Sequence, residues 1–398
     1  MDNSAFSSPA RKAAAASGGK LPFYYVMVVW GEKYVESLLK ITLPCLMAPG
    51  NLPALSNLEE SRFLIITTPE DALKIAAAPV YSSLRGAIDT QILMPQWLDD
   101  NLQYHLKAAR GHMMAAELAV KNGAFCVFLA PDFILSDGSL LHLERLARQG
   151  KEAVMIPGIR LNRESLLQEL AQRRLFKPGS PLQLSSRALV EIALGHVHEE
   201  DQRYNWGHPC FSRAPVVCTW NVQNEKGLLI RAFHLHPILV SMRGNRDLSS
   251  LDSNTIDDNF LGYNIGDWDK IHVEPDSDNI AMFSLTGENE RRLPLIPNTA
   301  SVERVGAIAY SVLVNPLHRY FFTKAIKLHC ADLNETWRDA EDTTARLVYK
   351  ILRQDRFLAD NLLWTYPISS ILRHLVSRIR HKPLRKWMEF LQRGFGAF

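Results

Sequence analysis

Short apolar runs alternate with helical spacing through the first hundred residues. Phe23–Val29 and Phe63–Thr67 are rich in aromatic and β-branched residues, which is the composition of buried strands. Between them, residues 34–43 place apolar side chains at helical spacing. A third strand is predicted within Ala87–Met94, just before Pro95. Alternating strands and helices predict a mostly parallel sheet flanked by helices.

The same alternation continues across the middle of the chain. Helical periodicity over 102–121 ends at a turn at Gly123, and a strand-like apolar run follows and stops at Asp132. A second acid, Asp137, stands in the turn before the next helix, and Ala153–Ile156 is again strand-like. Ligands of open α/β sheets collect outside the carboxyl ends of strands. Asp132 is therefore predicted to face a ligand-binding crevice.

From about residue 298 the pattern becomes helical. Apolar residues recur at three- and four-residue spacing in Val302–Val312, Leu317–Leu328, Ala340–Leu352 and Phe357–Leu363. Residues 368–398 form a basic amphipathic pattern that includes Trp387 and suits the surface of an anionic membrane. Docking on the rest of the chain or on a partner protein explains the same pattern.

Composition limits the fold and the partners. The chain has 398 residues, 47% of them hydrophobic and 22% charged, which allows a sizeable core and argues against a disordered protein. The net charge is only +3, so no overall positive field favours nucleic acid as a partner. The predicted organisation is a disordered tail over 1–20, an α/β domain over 21–290 and a helical region over 291–398.

Several familiar chemistries have no signature in the sequence. The five cysteines are odd in number and include no C-x-x-C pair, so reduced, mostly buried thiols are expected. The P-loop, dinucleotide, hydrolase-elbow and zincin motifs do not occur. Residues 1–20 lack the apolar core of a secretory signal, and no apolar run is long enough to span a bilayer. We therefore expect a cytoplasmic protein, with membrane association at the inner face through residues 368–398.

One family resemblance rests on five residues: Asp132, Ser136, Asp137, Gly138 and Leu140. An alanine-rich helix that leads into a strand with an acid at its end, followed by Ser-Asp-Gly-x-Leu, resembles the middle of GT-A-fold glycosyltransferases. In that family the strand ends in an Asp-x-Asp motif, whereas Ala130 and Pro131 precede the acid here. The resemblance covers about residues 22–265 and implies a GT-A-like, Rossmann-like sheet that binds a nucleotide sugar.

In GT-A enzymes the end of the first strand, the following loops and the alanine-rich helix lie near the donor nucleotide. The resemblance therefore assigns donor binding to seven residues: Trp30, Gly31, Thr68, Arg110, His112, Asp132 and Asp137. A tryptophan ring can stack on a base, and the planar guanidinium of Arg110 suits a diphosphate. Structural explanations also exist, because Trp30 can close the core and Arg110 can lie on a solvated helix face.

Two histidines add a candidate metal site to the resemblance. Leu228–Val240 is predicted as one strand, on which His234 and His236 share a face because side chains alternate with period two. Some GT-A enzymes add a downstream histidine to their metal-binding acid. Asp132, His234 and His236 are therefore assigned a divalent Mn or Mg ion. In the alternative, one imidazole donates to a backbone carbonyl and the other packs in the sheet.

Asp257 and Asp258 are the candidates for the catalytic base, since inverting sugar transfer needs a carboxylate near the acceptor hydroxyl. An acidic pair is also a common feature of turns. The resemblance implies transfer of a sugar from a nucleotide sugar, with a UDP-sugar favoured, to a saccharide, lipid-linked or protein acceptor. The missing first acid of Asp-x-Asp supports the alternative, a catalytically inactive glycosyltransferase-like protein that binds a nucleotide or scaffolds an assembly.

Overall fold

A seven-stranded sheet forms the centre of the molecule in the computed structural model, which describes residues 21–98, 102–177, 180–252, 254–257, 259–290, 294–311 and 313–362. With strands numbered in chain order, its members lie side by side as Ile271–Val273 (β11), Ala153–Ile156 (β6), His236–Ser241 (β10), Phe125–Leu129 (β4), Phe23–Val28 (β1), Arg62–Ile66 (β2) and Asp89–Leu93 (β3). Strand β10 runs antiparallel to its neighbours β4 and β6, and the other pairings are parallel. This architecture confirms the predicted fold class, a mostly parallel α/β sheet flanked by helices.

Strands β1 and β4 lie in the middle of the sheet and are apolar on both faces, as covered parallel strands usually are. All residues of both strands are buried. Val127 of β4 pairs with Tyr25 of β1 on one side and with Leu239 of β10 on the other. Parallel strands end at one edge of a sheet, so the carboxyl ends of β1, β2 and β4 meet there. His236, the first residue of antiparallel β10, lies at the same edge.

Two three-stranded sheets accompany the central one. The first contains Phe133–Leu135 (β5), Met282–Thr286 (β12) and Ile159–Asn162 (β7), and the second contains Val217–Asn221 (β8), Gly227–Ala232 (β9) and Ile326–His329 (β13). Asp132 occupies the short connection between β4 and β5. The connection therefore joins the central sheet to the first small sheet.

The single strand predicted over Leu228–Val240 is wrong. The chain forms β9, bends at Phe233–Leu235, and enters the central sheet as β10. β9 pairs with β8 and β13, whereas β10 pairs with β4 and β6. His234 and His236 therefore do not share one strand face.

The helices of the described residues are α1 Glu32–Ser37, α2 Leu43–Leu46, α3 Pro69–Ala76, α4 Pro79–Ala87, α5 Tyr104–Asn122, α6 Ser139–Arg148, α7 Arg163–Gln172, α8 Ser186–Ala193, α9 Glu199–Gln202, α10 Phe260–Asn264, α11 Val302–Ala309, α12 Pro316–Phe322 and α13 Glu335–Leu362. A π-helical turn, Leu38–Thr42, joins α1 to α2, and short 3₁₀ turns occupy Leu52–Ala54, Gln96–Leu98, Ser249–Asp252 and Trp268–Lys270. Helix α5 is the predicted alanine-rich helix. It packs closely on the sheet because its small residues Ala109, Ala115 and Ala119 are buried.

The C-terminal region contains a strand that the periodicity did not predict. The helix predicted over Leu317–Leu328 ends at Phe322 as α12, and β13 follows because Ile326–His329 pairs with β9. The predicted basic amphipathic segment 368–398 lies outside the described residues. Among the helices that the structure describes, none is both long enough and apolar enough to cross a bilayer.

Candidate functional site

The residues predicted to line a crevice follow the strands at the carboxyl edge of the central sheet. Gly31 follows β1 with φ of 84°, a conformation that glycine adopts without strain. Its N–H donates to Asp71 Oδ2 at 2.7 Å. Thr68 caps α3 by accepting the Asp71 N–H at 3.2 Å, and its hydroxyl donates to Asp71 Oδ2 at 3.1 Å. The ends of β1 and β2 are thus tied together through one buried carboxylate.

Trp30 lies at the same edge, immediately after β1, and is partly buried against the core. The ammonium of Lys107 stands 6.0 Å from its ring centroid, and donates to the Leu98 carbonyl oxygen at 2.5 Å. Trp30 therefore packs on the core, as its structural explanation requires. Stacking of this ring on the base of a donor nucleotide stays a prediction.

The backbone around Asp132 is fixed by three hydrogen bonds. The Thr42 hydroxyl lies 2.8 Å from the carbonyl oxygens of both Pro131 and Phe133, and the Leu285 N–H donates to the Asp132 carbonyl oxygen at 2.9 Å. Thr42 belongs to the π-helical turn and is itself buried. The position of Asp132 is therefore set by neighbouring elements and not by its own side chain.

The pKa of the Asp132 carboxyl lies well above its ordinary value. Burial raises its pKa to about 6, although the nearby cations Lys33 and Arg163 favour the charged form. Lys33 comes from α1 and Arg163 begins α7. Three elements thus bring one acid and two cations to the carboxyl end of β4, a group that we call the charged trio.

Each cation of the charged trio already has an acidic partner. Lys33 forms an ion pair with Glu290, and Arg163 pairs with Glu164 at 2.6 Å. The backbone N–H of Glu288 donates to the second Glu164 oxygen at 2.9 Å, so the loop that carries Glu290 is held beside the cations. Burial lowers the pKa of Lys33, and Arg163 lowers it further, as expected for two cations in one place.

A second group of side chains lies near Phe133 and Phe128. His236 donates from Nε2 to the Phe128 carbonyl oxygen at 2.9 Å, and its ring lies edge-on to Phe133 at 5.2 Å. The His112 ring approaches Phe128 at 4.9 Å, and its Nδ1 is buried without a hydrogen-bond partner among the described residues. Asp257 is exposed and close enough to favour the protonated form of both imidazoles.

Burial nevertheless keeps the two imidazoles neutral. It lowers the pKa of His112 to about 4 and also lowers the pKa of His236, and the attraction of Asp257 reverses neither shift. We call His112, His236 and Asp257 the imidazole group. The structure thus brings together three residues that the sequence assigned to donor, metal and base roles respectively, while Asp258 lies outside the described residues.

The predicted metal set of Asp132, His234 and His236 is not assembled. His234 donates to the Leu313 carbonyl oxygen at 2.7 Å, and its ring lies tilted against that of His318, with ring centroids 4.4 Å apart. Among the described residues, the sets of three His, Cys, Asp or Glu side chains whose ligand atoms approach one another do not include Asp132. The physical reason is the bend between β9 and β10, because His234 lies in the bend itself whereas His236 begins β10 of the central sheet.

Asp137 and Arg110 lie on elements that shape the crevice. The Asp137 carboxylate accepts the Gly50 N–H at 2.6 Å and the Gln183 side-chain amide at 2.9 Å, so both its oxygens have protein partners. Asp137 thus connects neighbouring loops, and its donor role stays a prediction. Arg110 is partly buried on α5, one residue before Gly111, and its donor role stays a prediction.

The sequence did not single out Lys33 or Arg163. A signal for Lys33 existed, since it follows the first strand by only a few residues. Arg163 had no usable signal, because it is distant from Asp132 in sequence and reaches it through β7 and the first small sheet. Tertiary structure alone creates the charged trio.

Comparison with known proteins gives weak structural likeness. No protein-family model matches the chain, and no curated protein matches its sequence. The solved structure of S. aureus TarS aligns with 94% of this chain and 53% of its own, at 10% identity and a TM-score of 0.33. A putative glucose-1-phosphate thymidylyltransferase from Bacillus anthracis aligns with 35% of this chain and 55% of its own, at 12% identity and a TM-score of 0.23. Mouse xyloside xylosyltransferase 1 aligns with 40% of this chain and 60% of its own, at 9% identity and a TM-score of 0.22.

This chain thus matches 53% to 60% of the length of these three structures. Every TM-score is below 0.5. Such likeness carries no argument about activity. The function has to be argued from the crevice itself.

Proposed function

We propose that the chain is a glycosyltransferase that moves a sugar from a nucleotide sugar to an acceptor hydroxyl. One observation supports this most: the charged trio stands at the carboxyl end of β4, and Phe133, the residue after Asp132, packs against the ring of His236, whose pKa responds to the nearby exposed Asp257. Sugar transfer needs positive charge for a leaving diphosphate and a carboxylate base for the acceptor in one crevice. In this proposal the charged trio supplies the positive charge, and Asp257 supplies the carboxylate base.

Lys33 and Arg163 are the proposed diphosphate ligands. The guanidinium binds phosphate oxygens as a planar fork, and the ammonium adds a compact charge. Both cations pair with carboxylates, Lys33 with Glu290 and Arg163 with Glu164. A diphosphate would displace these carboxylates from the cations. Asp132, between them, is placed to accept a hydrogen bond from a donor hydroxyl.

The residues around Asp132 do not form a preassembled metal site. Magnesium is commonly held by one or two carboxylates together with the phosphates of a substrate, so a Mn or Mg ion bound with the donor stays a prediction. Asp132 belongs to no three-ligand group in the described part of the chain, and its charged neighbours include the cations Lys33 and Arg163. The proposed mechanism therefore takes its positive charge from side chains.

Asp257 is the proposed base. Its carboxylate takes the proton of the acceptor hydroxyl while that oxygen bonds to the anomeric carbon of the sugar. The bond from this carbon to the diphosphate breaks, and its electron pair leaves with the nucleoside diphosphate. The neutral rings of His112 and His236 leave Asp257 as the charged member of the imidazole group. Asp258 is the alternative base.

A UDP-sugar is the proposed donor, and a saccharide, a lipid-linked sugar or a protein is the proposed acceptor. We also propose a cytoplasmic location, with contact to the inner face of a membrane through residues 368–398. The charged trio supports the diphosphate part of the donor only, because it makes no contact that distinguishes bases.

A thermal-shift titration tests the donor class. Purified protein is titrated with UDP, GDP, CMP and dTDP, each with and without Mn²⁺ or Mg²⁺, since ligand binding to the native state raises apparent stability. We expect one nucleoside diphosphate to shift the melting temperature without added metal. A shift that appears only with metal contradicts the assignment of Lys33 and Arg163, and no shift with any nucleotide contradicts the proposal.

Turnover separates the enzyme from a catalytically inactive nucleotide-binding protein. The observation that favours the inactive alternative is the single acid at the end of β4, with its cations paired to Glu290 and Glu164. Release of UDP from a UDP-sugar, with water as the acceptor, should fall by about 10²- to 10⁴-fold in Asp257→Asn, while UDP affinity is kept. UDP binding without any release from UDP-sugars would favour the inactive protein.

A further inference from the structure

A second cluster of ligand-type side chains lies away from the crevice residues, at the β11 edge of the central sheet. His272 is the middle residue of β11, Glu274 follows the end of that strand, and His142 comes from α6. Nε2 of His142 lies 2.8 Å from Glu274 Oε2, and Nε2 of His272 lies 3.2 Å from the same oxygen. The ligand atoms of the three residues all lie within 4.8 Å of one another. We propose that His142, His272 and Glu274 form a binding site for a divalent transition-metal ion.

Glu274 is held in the orientation that a ligand needs. Its side chain is 2% exposed, and its Oε1 accepts the Asn279 side-chain amide at 3.0 Å and the Asp276 N–H at 3.2 Å. These bonds leave Oε2 directed at the two imidazoles. Hydrogen bonds to the second oxygen of a carboxylate are the usual way in which proteins orient a metal ligand.

The two histidines approach that oxygen from different elements. His272 and Glu274 are two residues apart on an extended segment, so their side chains share a side. Nδ1 of His142 is buried without a hydrogen-bond partner in the described part of the chain, so Nε2 is the nitrogen through which this ring engages the cluster. Three ligands thus converge from α6 and from the end of β11.

The spacing is close to that of a metal centre. A tetrahedral ion about 2.0 to 2.1 Å from each ligand holds its ligand atoms roughly 3.3 Å apart. The observed separations of 2.8 and 3.2 Å require the side chains to open by only a few tenths of an ångström at most. Two imidazoles and one carboxylate are a ligand set suited to zinc, cobalt or nickel, whereas magnesium and calcium prefer oxygen ligands.

Entry from solvent is possible because the side chains of His142 and His272 are 13% and 25% exposed. A fourth ligand position can then be filled by water, as in zinc sites with two histidines and a glutamate. The site is distinct from the charged trio, since β11 and β4 are three strand positions apart, or about 14 Å at ~4.8 Å for each step. Its test therefore does not depend on the proposed function.

A neighbouring set, Asp276, Asp278 and His329, also brings ligand atoms together. Asp278 in that set is occupied by a forked pair with Arg187, at 3.0 and 2.8 Å. A metal there would have to displace a guanidinium. We therefore assign the metal to His142, His272 and Glu274.

Calorimetric titration of the chelator-treated full chain with zinc, cobalt and magnesium chlorides tests the site. We expect zinc and cobalt to bind with a stoichiometry of about one and magnesium not to bind. His272→Ala should weaken zinc at least about tenfold, because removal even of the groups that orient metal ligands costs 10- to 100-fold. His105→Ala, a histidine outside both sets, is the matched control and should leave the affinity unchanged.

Glu274→Gln provides a second variant of nearly the same shape, and circular dichroism checks that each variant is folded. Loss of zinc binding in both folded variants supports the site, as does a zinc-dependent rise of the melting temperature that both variants lack. Equal zinc affinity in wild type and His272→Ala overturns the proposal. So does loss of binding in His329→Ala with retention in His272→Ala, which would move the metal to the neighbouring set.

Discussion

Asp132 is an acid in a place where its charge is costly. Burial raises its pKa to about 6, against the attraction of Lys33 and Arg163. A carboxyl that titrates near neutral pH beside a specific charged partner is common at functional sites. A hydrogen bond from a donor hydroxyl to the Asp132 carboxylate would offset the cost of its charge.

Asp132→Asn should stabilise the free protein at neutral pH. The folded pKa of this acid lies above its unfolded value, so wild-type stability falls as pH rises from about 4 to about 6. The variant lacks this loss and should gain up to ~3 kcal/mol at pH 7 and only about 1 kcal/mol at pH 4.5. Urea unfolding at both pH values measures the gain. A variant less stable than wild type at pH 7 would show that Asp132 is charged and satisfied by its cations.

His112 should make the protein sensitive to acid. Its folded pKa of about 4 lies below the unfolded value, so the unfolded chain binds more protons between pH 6.5 and 4, and stability is lost as pH falls. This titration should cost on the order of 2 kcal/mol between pH 7 and pH 5, a loss that His112→Phe removes. The difference between variant and wild type cancels the titration of other groups, including Asp132. An unchanged pH dependence in the folded variant would contradict the buried, neutral imidazole.

Helix α5 and strand β1 form the closest helix–sheet contact beside the crevice. A Cβ on Gly111 would stand 2.6 and 2.9 Å from the two methyl carbons of Val28. Real side chains do not tolerate such distances, so the helix or the strand would have to move. The glycine at this position thus lets α5 bring His112 up to the end of β4.

Gly111→Ala should therefore destabilise the protein by about 1 to 3 kcal/mol, the usual cost of overpacking. Gly86→Ala in α4 is the matched control, because a Cβ there has no neighbouring atom within 4 Å. The control should gain about 0.5 to 1 kcal/mol, since alanine is the better helix former. Equal effects of the two substitutions in chemical denaturation would contradict the close packing of α5.

Elements with strong local patterns were predictable from the sequence. The strand predicted over Ala153–Ile156 is β6 with the same limits. The strand predicted over Leu228–Val240 was wrong because apolar residues dominate both halves of the segment, and a run that is buried in two different sheets has no periodicity that marks the bend. The strand β13 was missed for a related reason, since Ile326 and Leu328 continue the helical spacing of α12.

At the scale of the whole molecule, α13 is joined to the second small sheet by a buried tryptophan, together with hydrogen bonds from Arg231 and an ion pair of Lys327 with Glu341. Trp337 is 1% exposed and packs with Val222 and Leu229. Its ring lies against Gly227 of β9, where a Cβ would stand 2.5 Å from it. The long helix is therefore anchored to a strand formed more than a hundred residues earlier.

Trp337→Ala should lower the free energy of unfolding by about 3 to 5 kcal/mol, the typical cost of removing a buried tryptophan. Tyr349→Ala on the same helix is the control, because Tyr349 is 60% exposed and surface changes usually stay within about 0.5 kcal/mol. Thermal unfolding of both variants measures the contrast. A small effect of Trp337→Ala would mean that α13 contributes little to the stability of the sheet.

The candidate site was only partly predictable from the sequence. Asp132 was found because a strand end is a local feature, and His112, His236 and Asp257 were found by residue type, although their shared location was not. Arg163 owes its position to the joining of the central sheet with the first small sheet, which depends on β7 and β12 pairing, whereas Lys33 follows β1 directly. Contacts between elements that are distant in sequence leave no periodic pattern. The spacing of residues therefore could not predict the charged trio.

The central claim is that Lys33 and Arg163 bind the diphosphate of a nucleotide donor. The most direct measurement compares UDP with uridine by calorimetry, in wild type and in a variant with both Lys33→Ala and Arg163→Ala. The control carries Lys40→Ala and Arg173→Ala, which remove ion-paired cations next to α1 and at the end of α7. We predict that wild type and control bind UDP at least about tenfold more tightly than uridine, a difference of ~1.4 kcal/mol, and that the Lys33 and Arg163 variant loses this preference. Equal affinity of wild type for UDP and uridine, or a preference that survives in the variant, would contradict the account.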